Sequence, residues 1–556
     1  MSSCNTVHSN IALMLGGLGL FLFGMKIMGD GLEVAAGSKL KVLIEKLTKN
    51  KYMGAVVGLI VTAVIHSSAA TTVMVVGFVN TGFMNLTQAA GIIMGANIGT
   101  AIAGLMLAIP FEELAPLIIF LGVTILYFLK KNSHRNIGQI LAGFGMLFWG
   151  MHLMTDAMQI LSELEGFKQI MGLLMNPLFG FLAGIIVTAI IHSSSAIVGV
   201  LLSMGGAGIA LENVIFIIYG QNIGTCITAL MASIGTTKTA RRAALIHLLF
   251  NMIGALIFAV ITLVFPFTHW IKMLIAGTAA TQIPFVHVFF NLATTAILLP
   301  FSNLLIKVSC KLVPGEDEVQ EDLRLIYLDN RILNTPSIAV SQVLKEVERM
   351  ADLAKCNFKY AMQSFLENSQ KRVDKVYKNE KIINFLNRSI TEYLVKINGL
   401  DINDADKRLV GSLFRAINDI ERVGDYCENI CELSEILIAG RANLSETALE
   451  EIESMRIMVE SILNEAVFIF CTDNQEQDII DIVDKTEDEI DDKTEEFKEN
   501  HIDRLNKGEC SPIAGTIFMD ILTSLERIAD HATNIAFSNR QRHMKMLKKS
   551  DIKLPV

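Results

Sequence analysis

The chain has 556 residues, 52% of them hydrophobic, and 56 acidic against 47 basic residues give it a formal charge of −9. Its apolar runs stop near Cys310 and a Lys/Glu/Asp-rich stretch begins at about Glu316, which excludes a wholly soluble chain and points to one part in lipid and one in water. Walker A, GxSxG and HExxH signatures are absent, as is a basic patch with interleaved aromatics, so an enzyme, an ATP-driven pump or a nucleic-acid partner is not expected.

Residues 11–28 form the first of seven apolar segments long enough to cross a bilayer; the others lie near 87–108, 114–130, 137–157, 213–233, 243–265 and 284–308. No basic region precedes the first segment and no small-residue cleavage site follows it, so it reads as a retained span. Two further apolar stretches, 53–80 and 180–207, carry one motif written twice. Thr62-Ala63-Val64-Ile65-His66-Ser67-Ser68 returns 126 residues later as Thr188-Ala189-Ile190-Ile191-His192-Ser193-Ser194, the second copy adding Ser195. Each is followed by Asn-Ile-Gly-Thr, at Asn97–Thr100 and at Asn222–Thr225, the latter preceded by Gln221. Polar groups are costly in apolar surroundings, so their duplication marks function. In late spans a His-x-x-Phe-Asn pattern, His247/Asn251 and His287/Asn291, reads as packing or helix-to-helix bonding. The cysteines form no CxxC pair and read as reduced thiols.

Charge counting fixes a topology. If each His-Ser-Ser stretch dips in and returns to the same side, the basic connections at Lys39–Lys51, Lys130–Arg135, Lys238–Arg242 and Lys307–Lys311 share one face. A straight span over 53–80 would move Lys130, Lys131 and Arg135 to the far side, against the positive-inside rule. Gly17, Gly19, Gly24, Met25 and Asp30 recur as Gly143, Gly145, Gly150, Met151 and Asp156, which places three crossings between the copies and inverts one relative to the other. The membrane part, residues 1–310, then holds repeat 1 at about 11–130, repeat 2 at about 137–265 and an extra span at 284–308. The amino terminus lies outside and the aqueous part in the cytoplasm. Hairpin tips entering from opposite sides would meet near mid-bilayer, as in secondary transporters.

At such a tip Ser67/Ser68 or Ser193/Ser194 start the returning half-helix, where hydroxyls and free N–H groups welcome an anion. The Asn-Ile-Gly-Thr segments add oxygens, and Gly99 and Gly224 allow close approach or local unwinding, which suits sodium. Serine and threonine in membrane helices also serve simply to bond the preceding turn or to join helices. Between Tyr52 and Pro110 there is no charged residue, and between Pro177 and Ile234 only Glu212, so the site is expected to own almost no fixed charge and to load a cation and an anion together. His66 and His192 could respond to protons or serve as neutral imidazoles bonding the hairpin backbone.

These residues resemble the type II sodium/phosphate cotransporter family, whose inverted repeats each carry a Gln-Ser-Ser-Ser hairpin motif; here His66 and His192 replace Gln, and Ala69 the third Ser of the first copy. The resemblance spans about 10–310. It implies that Ser67, Ser68, Ser193, Ser194 and Ser195 help bind phosphate and sodium, with Asn97, Thr100, Asn222 and Thr225 near them. Thr62, His66, Thr188, His192 and Gln221, within the same motifs, complete the candidate set.

Beyond a linker at 311–335, residues 336–550 repeat apolar positions at helical spacing. Glu421-Arg422-Val423-Gly424-Asp425 with Asn429 returns 105 residues later as Glu526-Arg527-Ile528-Ala529-Asp530 with Asn534, which fits two three-helix bundles with turns near 399–404 and 440–445. These rows, and Glu348/Asp352, could present oxygens to a metal ion or be solvated faces paired with arginines. They resemble the acidic signature of the PhoU family of helical regulators of phosphate uptake, which implies a divalent or iron-type metal.

The expected fold is therefore all-α: a polytopic domain of two inverted repeats with re-entrant hairpins, then a PhoU-like domain. The expected function is sodium-coupled transport of inorganic phosphate across the plasma (inner) membrane, regulated by the cytoplasmic domain. A phosphate exporter and a non-transporting sensor are the alternatives, and a homodimer is left open.

Overall fold

The computed structural model describes residues 2–47, 50–129, 132–315, 323–400, 402–471 and 477–543. The chain forms two compact units, one of residues 1–318 with 329–338 and one of 319–328 with 339–556. Every element among the described residues is helical.

The first unit contains α1 (Ser2–Leu47), α2 (Lys51–Ile65), α3 (Ser68–Asn80), α4 (Leu86–Met106), α5 (Ala115–Phe128), α6 (Asn132–Leu161), α7 (Glu165–Leu174), α8 (Pro177–Ile191), α9 (Ser194–Gly206), α10 (Leu211–Ala232), α11 (Lys238–Val264), α12 (Phe267–Leu274), α13 (Ala279–Leu298) and α14 (Ser302–Leu312). Six helices, α1, α4, α6, α10, α11 and α13, are long and apolar enough to cross a membrane, and α7 with α8 forms a pair bent by 101°. The chain is a multi-pass membrane protein.

Three sequence expectations change. The expected connection that carries Lys39 to Lys51 is helical through Leu47, an extension of α1. The segment 114–130 yields α5, only 14 residues long and short of the roughly 20 that span a bilayer. The segment 284–308 is broken between α13 and α14 at Pro300, whose missing N–H cannot continue the helical ladder, although Leu299 before it keeps helical angles, φ −60° and ψ −42°. The linker acids at 316–322, the tail at 544–550 and the side chains of Lys39, Lys41, Lys46, Lys49, Lys130 and Lys131 lie outside the described residues.

Helices approach closely where side chains vanish. A Cβ on Gly17 would lie 2.8 Å from the Gly150 carbonyl oxygen, and one on Gly24 would lie 2.6 Å from that of Gly143. The contact partner falls along α6 as position rises along α1, so the two helices run antiparallel. Gly17 and Gly24 are the repeat counterparts of Gly143 and Gly150, so the crossing is self-complementary about a two-fold axis. The same economy recurs within each repeat: a Cβ on Gly99 or on Gly224 would sit 2.6 Å from the carbonyl of Leu59 or Ile185.

The second unit holds α15 (Pro336–Glu367), α16 (Gln370–Asn398), α17 (Asp404–Ile438), α18 (Glu446–Cys471), α19 (Gln477–Asn506) and α20 (Pro512–His543), the six helices that two three-helix bundles need. Val373, Val376, Ile383, Leu386 and Ile390 show why α16 packs: apolar residues at steps of three, four or seven form one buried stripe, with Glu380 between Val376 and Ile383.

Candidate functional site

The two motif copies adopt one backbone geometry. α2 ends at His66 and α8 at His192, both at φ 58° and ψ 22°, the left-handed conformation that usually calls for glycine. Ser67 and Ser193 follow in extended conformation and cap α3 and α9, their hydroxyls accepting from Ala70 N–H at 3.1 Å and Ala196 N–H at 3.2 Å. The first chain reversal is explicit: Thr62 Oγ1 donates to Thr71 Oγ1 at 3.0 Å across the break. In an unbroken helix residues nine apart would be about 13 Å apart along the axis. In the second copy Ile197 replaces Thr71, and the Thr188 hydroxyl is buried without a hydrogen-bond partner among the described residues.

A cavity of about 290 Å³ brings both tips together. His66, Ser67, Ser68, His192, Ser193, Ser194, Ser195 and Thr225 line it. Ser68 and Ser194 sit at the first turn of a helix, where backbone N–H groups have no intrahelical acceptor. The hydroxyls of Ser67 and Ser193 are engaged in capping, whereas Ser68, Ser194 and Ser195 line the cavity without that role. The His192 ring lies 3.3 Å from the Thr228 hydroxyl, so it bonds a neighbouring helix and not the hairpin backbone.

The remaining candidates do not line this cavity. Asn97 Nδ2 donates to Ile93 O at 2.9 Å, Thr100 to Ala96 O at 3.1 Å and Asn222 Nδ2 to Ile218 O at 3.2 Å, each within its own helix. α4 and α10 stay helical through Asn-Ile-Gly-Thr, so Gly99 and Gly224 serve close packing and not the unwinding considered for them. Asn222 also meets His287, Nε2 to Oδ1 at 3.4 Å, while Asn251 and Asn291 donate back to His247 and His287 O at 3.0 and 2.9 Å. Gln221 is fully buried and neither side-chain amide atom has a hydrogen-bond partner among the described residues.

The expectation of a nearly uncharged site is wrong. Lys26, Asp30 and Glu33 of α1 line the cavity with the serines. They escaped notice because the charge count was confined to the hairpin sequences, whereas these residues lie about 35 to 40 positions upstream. The available signal was their i, i+4, i+7 spacing in an apolar helix, since ionisable residues within spans are seldom incidental.

A strap closes one side of the first repeat. Residues 329–338 belong to the membrane unit, and Asn334 reaches the cavity wall. Asn80, the last residue of α3, donates to Asp329 at 2.7 Å and accepts from Thr237 N–H at 2.9 Å. Arg331 pairs with Asp329 at 2.8 Å and donates to the carbonyls of Ala232 at 2.5 Å and Ile234 at 3.1 Å. Ile332 is fully buried against Gly77, where a Cβ would come within 3.1 Å.

In the helical unit the acidic rows divide. Residues eight apart on a helix are separated by about 12 Å, so Glu421 and Asn429, or Glu526 and Asn534, cannot ligate one ion. Asp425 pairs with Arg422 at 3.3 Å and Asp530 with Arg527 at 3.3 Å; Glu526 meets Lys498 at 3.1 Å and Asp352 meets Lys355 at 2.9 Å. Glu348 also has a partner, Asn429 is exposed, and Asn534 donates to Asp419 at 3.5 Å. The carboxylates that do converge are Glu487, Asp491 and Asp530, within 4.8 Å of one another. Glu487 and Asp491 were missed because they come from α19; the acidic run of that helix was the signal. Glu380 is 3% exposed, and burial, then Asp425, Glu428 and Glu421, push its pKa up to about 8.

With this geometry in hand, sequence comparison is informative. Residues 20–156 and 146–276 each match the Na+/Pi-cotransporter family, and 347–434 and 452–538 each match the PhoU domain. A Salmonella typhimurium protein named for inorganic phosphate export, YjbB, is 26% identical over 470 residues, covering 82% of this chain and 84% of that protein. The phosphate-specific transport system accessory protein PhoU homolog of Synechocystis is 30% identical over 215 residues, 38% of this chain and 93% of its own. The rat sodium-dependent phosphate transport protein 2A is 32% identical over 111 residues, 20% of this chain and 17% of its own. The chain carries a Na+/Pi-cotransporter domain followed by PhoU domains.

Proposed function

We propose that this chain is a secondary transporter that moves inorganic phosphate out of the cell, binding it between the two serine tips. The observation that carries the reading is that both tips, with the same dihedral angles, open into one cavity. Two helix starts aimed at one point, each with unpaired N–H groups and a free hydroxyl, suit an oxyanion with several acceptor oxygens. The antiparallel two-fold crossing of α1 and α6 supports inverted repeats, and with them re-entrant hairpins and alternating access. The amino terminus is then outside and the helical domain cytoplasmic, in keeping with the basic connections.

Outward direction, the alternative at the level of sequence, takes precedence over uptake. The similarity to an export protein covers most of both chains, whereas that to a sodium-dependent protein covers a fifth of this one. Sodium stays in the proposal as the accompanying cation. The PhoU-like domain regulates flux through the strap, which leads directly into α15 and pins α3, the half-hairpin that starts at Ser68. Glu487, Asp491 and Asp530 form an all-oxygen donor set that fits a hard divalent cation or iron.

Cells loaded with labelled phosphate should release it faster when they express the chain, and this gain over background should fall about tenfold when they express Ser68→Ala. Background release from cells with the wild-type chain contradicts export.

A further inference from the structure

We infer that the α1 face bearing Lys26, Asp30 and Glu33 is the third wall of the binding site, with Lys26 receiving the anion and Glu33, beside Asp30, holding the cation that travels with it. The inference rests on the transport reading and adds to it the fixed charges that the hairpins lack.

The placement follows from helix geometry. Leu22, Lys26, Asp30 and Glu33 recur at three- and four-residue steps, so they share one side of α1, and all four line the cavity with the serines. Lys26 and Glu33 are two turns apart, about 10 Å along the axis, so they face different ends of the ligand space. Glu33 Oε1 is withdrawn from solvent and has no hydrogen-bond partner among the described residues. A carboxylate oxygen in that position needs a proton or a cation, and the cavity beside it is where one can enter. Besides these three residues, the titratable groups lining the cavity are His66 and His192 at the tips.

The repeat symmetry sharpens the point. The counterparts of Lys26, Asp30 and Glu33, 126 positions on, are His152, Asp156 and Gln159 of α6. They do not line the cavity: His152 instead contacts Asp156 at 3.5 Å and Glu112 at 3.6 Å. One copy of the charged face is tied to its own surroundings while the other faces the tips. Among the described residues lining the cavity, the acidic side chains and the lysine all come from α1. That face carries two acidic side chains against one basic one, so a cation taken up there favours entry of the anion.

The test uses the full chain in liposomes, with labelled inorganic phosphate and sodium chloride as probes. Lys26→Met should raise the half-saturating phosphate concentration about tenfold or more, with Lys26→Arg close to wild type, as expected for one charge-assisted contact. Glu33→Gln should raise the half-saturating sodium concentration about tenfold or more at saturating phosphate, with Glu33→Asp intermediate. The conservative pair controls for folding, and the split between the two ligands is a result that a structural role would not give. Wild-type dependence on both ions in Lys26→Met and Glu33→Gln overturns this inference alone. A wild-type chain that moves no phosphate overturns the transport reading, and this inference with it.

Discussion

His66 and His192 hold the two left-handed turns on which the site depends, although neither is glycine. Histidine pays a strain of roughly 1 to 2 kcal/mol there, and the return is an imidazole at the cavity wall. His66→Gly should therefore keep the fold, while His66→Val, β-branched at positive φ, should lower the thermal midpoint and abolish flux; equal midpoints for the two variants would show that the turn is not under strain. Ser68 and Ser194 are buried at the tips with hydroxyls outside the capping role. Ser68→Ala and Ser194→Ala should each reduce phosphate flux in liposomes by about tenfold, one ligand hydrogen bond of order 1 to 3 kcal/mol, at unchanged yield of folded protein. Wild-type flux in both would remove these residues from the site. The motif was legible because it is written twice, but its strained turn was not, since no glycine or proline announces it.

The hairpin is the element that sequence described best and the strap the one it missed. Short apolar helices, α2 and α3 or α8 and α9, match the breaks expected from the charges flanking these stretches, which a straight crossing would set against the positive-inside rule. Residues 329–335 offered no comparable signal, being a polar stretch read as linker. Their role depends on contacts with Asn80 and Ala232, about 100 to 250 positions away in the chain. If the strap restrains α3, Asn80→Ala and Arg331→Ala should each raise basal phosphate flux by a factor of about 3 to 10, the weight of roughly 1 kcal/mol of lost hydrogen bonding. Unchanged flux in both would make the strap a structural seam only. Short helices were the other shortfall: α5 and α14 come from apolar runs that hydropathy counts as spans, because hydropathy records composition and not where a helix stops.

For the whole molecule, direction is a matter of charge. An inside-negative potential of 100 mV contributes about 2.3 kcal/mol per charge, so outward transport against an inward sodium gradient requires a cycle that carries net negative charge. Phosphate efflux from loaded liposomes should accelerate as the interior is made negative; acceleration in the opposite sense would favour uptake. The helical unit has its own dependence on pH. Glu380 ionises near pH 8 when folded and near 4.5 when exposed, so it favours the folded state fully below about pH 4.5, and that contribution is lost as pH rises to 8. Thermal unfolding of that unit in the full chain should fall between pH 6 and 8.5, and Glu380→Gln should flatten the fall. The domain pattern was legible from composition, and the acidic rows from their repetition. Which carboxylates meet was not, because Glu487 and Asp491 join Asp530 across two helices.

Equilibrium binding of labelled phosphate to the purified full chain, at saturating sodium, tests most directly whether the two tips hold one ion between them. The expected result is one phosphate per chain, with its affinity lowered about tenfold in Ser68→Ala and equally in Ser194→Ala. Two phosphates per chain, each lost in only one variant, or binding untouched by either, would contradict it.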